Sequence, residues 1–74
     1  MKFAHLEVGS FVTIVEHDPP NAPIHHSPCH VWWATTHYVD VQLRGKSLRF
    51  RRKDGLQPGG KMSGRWFEVE EAKP

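Results

Sequence analysis

Tyr38-Val39-Asp40-Val41-Gln42-Leu43-Arg44-Gly45-Lys46-Ser47-Leu48-Arg49-Phe50-Arg51 is the stretch that decides the fold. Its first six residues alternate cleanly, with Val39, Val41 and Leu43 on one face and Tyr38, Asp40 and Gln42 on the other. Its last five alternate as well, with Leu48 and Phe50 inward and Arg49 and Arg51 outward. A period of two is the signature of a half-buried strand. Arg44-Gly45-Lys46-Ser47 reads as the short loop of a hairpin. Setting Leu43 against Leu48 places Gln42 against Arg49, Val41 against Phe50 and Asp40 against Arg51. Apolar then meets apolar and polar meets polar. This register predicts Val41 and Phe50 as buried neighbours, with Asp40 and Arg51 exposed.

Working outward, three more strands emerge. Phe11 to Glu16 is rich in β-branched residues and follows the Gly9-Ser10 turn; Val31 to Thr36 is a second run; Arg65 to Glu70 closes the chain with Phe67 and Val69 opposite Trp66, Glu68 and Glu70. The only plausible helix is short, over 2–7, and lacks a strong N-cap. Two irregular stretches intervene. Residues 17–30 hold four prolines in fourteen positions, which argues against regular pairing. Residues 54–64 hold four glycines. Five strands in one domain spanning 1–74, with a long Pro/His-rich loop after the first strand, predict an all-β half-open barrel. Its expected core is Val8, Val12, Ile14, Val31, Val39, Val41, Leu43, Leu48, Phe50, Phe67 and Val69. Trp32 and Trp33, adjacent on a strand, should point to opposite faces. One is then core, and the other is exposed or covered by the 17–30 loop, anchored through Ile24.

At 74 residues the chain is too short for a second domain or a repeat array. With 38% hydrophobic residues and eight aromatics it is too apolar for a disordered one. A single cysteine excludes a disulfide framework, and no apolar run approaches the roughly 18 residues that span a bilayer. The first ten residues carry no apolar stretch suited to a signal peptide. The expectation is a cytoplasmic protein with no membrane role.

The segment Leu6-Glu-Val-Gly-Ser-Phe-Val-Thr-Ile-Val15 resembles the opening strand of SH3-like barrels. Arg49-Phe-Arg-Arg-Lys-Asp-Gly55, followed by Gly64-Arg-Trp-Phe-Glu-Val69, resembles the distal half of small phage and prophage proteins with that fold. The likeness covers about residues 6–16 and 38–69. It implies a five-stranded SH3-like half-barrel and a small accessory protein that binds a host protein rather than an enzyme. An OB-fold would need a helix between its third and fourth strands, and none is visible.

The net charge of +2 is unevenly spread. Residues 44–65 carry eight basic side chains against the single acid Asp54, a net +7 that leaves −5 elsewhere. Arg49, Arg51, Arg52 and Lys53, with outward Tyr38 and Trp66, are therefore the candidate binding residues on one basic, aromatic face. Such a face suits an acidic protein surface through its Trp, Tyr and Arg anchors. The alternative is a nucleic acid, held by stacking and phosphate contacts. A lesser alternative is zinc. His26, Cys29, His30 and His37 are the ligand types that zinc takes, but the usual second close pair is missing, so folding without a metal or other cofactor is expected. Cys29 with a neighbouring histidine lacks an orienting group and an oxyanion donor, and Gly59-Gly60-Lys61 lacks the first glycine and following helix of a phosphate loop. A non-enzymatic binding module is the resulting expectation. Oligomeric state is left open.

Overall fold

The structure is a computed structural model and describes residues 1–61 and 63–72. Five strands form one antiparallel sheet: β1 (Phe11–His17), β2 (Ile24–Ala34), β3 (Tyr38–Leu43), β4 (Lys46–Arg51) and β5 (Trp66–Glu71), in the order β4-β3-β2-β1-β5. There is no helix among the described residues. The sheet curls into a half-barrel because β2 serves two partners. Its first half pairs with β1, and its last four residues pair with β3. The inner faces enclose Val12, Ile14, Cys29, Val31, Val39, Val41, Phe50 and Val69.

The hairpin forms as a hairpin, but its register differs from the expected one. Val39 faces Phe50, Asp40 faces Arg49, Val41 faces Leu48 and Leu43 faces Lys46. The connection is therefore two residues, Arg44-Gly45, both with positive φ (52° and 78°). That is the dihedral signature of the tight hairpin turn whose twist matches the strands. Slipping the pairing by two keeps every side chain on its face, so alternation alone does not distinguish the registers. Val41 and Phe50 are both fully buried as expected, whereas Asp40 is 7% exposed and Arg51 is half-buried, against expectation.

Two further expectations are corrected. Most of the 17–30 stretch is not a loop, since Ile24 to His30 pairs with β1 and only 18–23 connects the strands. A break in register between Val12 and Ile14 absorbs Ser27-Pro28, which is where a strand tolerates a proline. Val8 is 60% exposed rather than core, and Leu43, Leu48 and Phe67 are half-buried around the core.

The N-terminal segment is a succession of turns, not a helix, and it buries Phe3 and Leu6 against the barrel. Its carbonyls are used elsewhere. Arg52 Nη1 donates to the carbonyls of Phe3, Ala4 and Leu6 at 3.0, 3.1 and 2.7 Å. Gly55 completes this corner. With φ of 77° and no side chain, it lets the Phe3 ring approach to where a Cβ would lie only 2.6 Å away. Gly55 also accepts the Val69 N–H, and Leu56 bridges to Glu68, so the turn after β4 is stitched to β5. Met62, within the expected 54–64 loop, lies outside the described residues.

Candidate interaction face

Alternation along β2 breaks at the tryptophans. Val31 faces Val41, but Trp33, not Trp32, faces the next residue, Asp40, so β2 holds one extra residue in a bulge. Both indoles consequently lie outward, 41% and 52% exposed, with ring centroids 6.5 Å apart and planes tilted by 41°. Neither is core, and Ile24, the expected anchor of a covering loop, is itself 51% exposed.

The rest of this face follows from register. Tyr38, Asp40 and Gln42 of β3 and Ser47, Arg49 and Arg51 of β4 share it with the tryptophans. Trp32 Nε1 donates to Ser47 Oγ at 2.8 Å. Neighbouring strands are about 4.8 Å apart and β3 lies between β2 and β4, so the indole must reach across roughly 10 Å and lies along the sheet rather than standing off it. Asp40 is buried because Arg49 closes over it with a forked pair, Nε to Oδ1 at 2.9 Å and Nη2 to Oδ2 at 3.2 Å. The hydrogen bond and charge of Asp40 raise the Arg49 pKa above its ordinary value. The same guanidinium lies 5.5 Å from the centre of the Tyr38 ring. On the β1 side, Phe11 is 59% exposed and faces His30 with ring centroids 6.3 Å apart, extending the aromatic band. At the hairpin tip Arg44 and Lys46 are exposed, and neither has an ion-pair partner among the described residues.

Of the other expected binding residues, Arg51 stays at the edge of this face, whereas Arg52 and Trp66 leave it. Arg51 is half-buried in a pair with Asp54 (Nη2 to Oδ2 2.6 Å). Lys53 is exposed beside it. Arg52 is not on the surface at all. At 8% exposure it donates to the carbonyls of Thr35, Phe3, Ala4 and Leu6, so its charge is structural. Trp66 sits on β5, at the opposite end of the strand order from β4, where its ring stacks on His17 at 3.9 Å under Lys61. The two strands are not paired in the sheet, so Trp66 and Arg49 do not lie on adjacent strands, contrary to expectation.

The histidine and cysteine candidates are dispersed too. His26 bonds Glu16 at 2.9 Å, His30 faces Phe11, and His37 lies in the 35–37 turn. Cys29 is buried, and its thiol donates to the His26 carbonyl at 3.3 Å. Burial pushes this thiol's pKa up, only partly opposed by a hydrogen bond from the backbone of Ile14. No group of three or more metal-type ligands occurs among the described residues. The carboxylates instead pair at the far end of the barrel, Glu68 with His17 at 2.7 Å and Glu16 with His26 and Arg65.

Comparison with protein-family models, curated proteins and solved structures finds no match to this chain. No helix of the described residues is long and apolar enough to cross a membrane.

Sequence reasoning passed over Trp32 and Trp33 as a pair because it assumed unbroken alternation. The signal that bears on it is the doubled tryptophan itself. Two large adjacent rings are hard to house inside so small a barrel, and a bulge releases both to the surface.

Proposed function

We propose that this half-barrel is SH3-like and acts, without catalysis, as a cytoplasmic binding module that engages an acidic surface of a host protein, in the manner of small phage and prophage accessory proteins. The observation that carries the reading is the outward Trp32–Trp33 pair, two large rings held on one rigid sheet by a bulge and by Ser47. Tryptophan, tyrosine and arginine are the residues that dominate protein interfaces when they cluster in this way. Arg44 and Lys46 at the rim supply attraction to carboxylates, while Arg49 is neutralised by Asp40.

A single-stranded nucleic acid is the second reading, favoured by the indole of Trp32 lying along the sheet, where a base could stack. Nuclease-treated host lysate passed over the immobilised protein, beside Trp33→Ala and an Arg44→Glu/Lys46→Glu double variant, tests the first. The protein reading expects a defined acidic protein retained by the wild type and lost by both folded variants. The oligonucleotide reading expects a labelled dT20 strand to bind instead, with log affinity falling steeply and linearly with log salt. Retention unchanged in all three proteins refutes the first reading, and failure of dT20 to bind refutes the second.

A further inference from the structure

A cavity of about 310 Å³ opens at the end of the hairpin remote from its turn, lined by Met1, His37, Tyr38, Arg51 and Lys53. Small-ligand pockets begin at roughly this size. We propose that it is an oxyanion site that takes a phosphate monoester. This does not rest on the protein-binding reading, since neither tryptophan of that face lines the cavity.

The walls come from three segments that Arg52 ties together. Its side chain holds the N-terminal turn and Thr35, and its amide donates to the His37 carbonyl at 2.9 Å. Tyr38 and Arg51 are the last cross-strand pair of the hairpin. Asp54 takes Nε and Nη2 of Arg51 at 3.2 and 2.6 Å, which fixes the guanidinium plane and leaves Nη1 outside the pair. Asp54 also accepts the Leu56 N–H, so its charge is already met from two sides. Lys53 has no ion-pair partner among the described residues, and the pocket keeps a net positive charge from it.

The donor set suits a phosphate. Arg51, Lys53, Tyr38 and His37 line it with four donor-bearing side chains, a number that suits the three terminal oxygens of a phosphate monoester better than the two of a carboxylate. The Tyr38 ring and Met1 side chain add apolar wall for the group that carries the ester.

The test is a titration of the ¹⁵N-labelled protein with inorganic phosphate, phenyl phosphate and benzoate at low salt. The expected result is saturable shifts at His37, Tyr38 and Lys53 with either phosphate and none with benzoate. Equal affinity for the two phosphates assigns free phosphate as the occupant; tighter phenyl phosphate assigns an ester. Lys53→Ala should weaken binding about tenfold, the cost of one charge-assisted bond, while Trp33→Ala should leave it unchanged. Benzoate binding as tightly as phenyl phosphate, or shifts gathered at Arg44 and Lys46 instead, overturns the proposal.

Discussion

The Nη1 of Arg52 lies 2.7 Å from the carbonyl oxygen of Leu6, forty-six positions away in the chain. A cation that a sequence pattern would place on the surface is in fact the clamp on the N-terminal turn. The same guanidinium reaches the carbonyls of Phe3, Ala4 and Thr35, so four acceptors from two distant segments depend on it. Truncating it leaves the buried Leu6 carbonyl without this donor and removes a second one from the Phe3 carbonyl. Arg52→Met should cost about 3 kcal/mol or more in urea unfolding, with Arg52→Lys intermediate. A loss below about 1 kcal/mol for Arg52→Met would mean the clamp contributes little.

One strand provides a matched control. Phe50 is fully buried, and its neighbour Arg51 is half-buried and pairs with Asp54. Phe50→Ala should cost roughly 3–5 kcal/mol, because it opens a cavity that the barrel cannot close. Arg51→Ala should cost under about 1 kcal/mol, since the pair it breaks is partly solvated. Equal losses in denaturant melts would contradict the assigned faces of β4.

Asp54 contributes a pH-dependent share of the stability. Partial burial pulls its pKa upward, but the Leu56 N–H, the Arg51 hydrogen bonds and the charges of Arg51 and Lys53 outweigh that and leave it below the usual carboxylate value. A carboxyl whose pKa is depressed in the folded state contributes stability that is complete above its unfolded pKa. That contribution is lost as pH falls through the folded value. The stability gap between wild type and Asp54→Asn should therefore be constant near neutrality and shrink in acid. A gap that widens on acidification would reverse the sign.

Cys29 should be sluggish toward alkylation. The residue is 7% exposed and burial raises its thiol pKa, so little thiolate is available near pH 8. Iodoacetamide should label the native protein about tenfold or more slowly than the unfolded chain. Excess chelator should leave both that rate and the thermal melt unchanged, because His26 is already engaged by Glu16. A melt that collapses on chelation would instead reveal a structural metal.

Local alternation was enough to read the all-β class, the hairpin and the inward faces of Val39, Val41, Leu48 and Phe50, because a period of two is imposed by strand geometry on every residue. It also marked where charge concentrates, since composition is a property of the chain itself. The site was less legible. Tyr38 and Arg49 were placed correctly on the outer face, but the tryptophans beside them were not.

What alternation could not decide was anything that turns on pairing. Two hairpin registers differ by two residues and leave every face unchanged, so the choice rests on a turn of Arg44 and Gly45 at positive φ. Residues 24–30 look irregular alone and become a strand only because β1 offers them a ladder and a bulge absorbs the proline. A second bulge in the same strand, now against β3, sends both Trp32 and Trp33 outward. Arg52 is buried because carbonyls forty-six to forty-nine residues away converge on it. The chain by itself determined which residues alternate and where charge lies; the partners that complete a ladder or neutralise a buried cation exist only once distant segments meet.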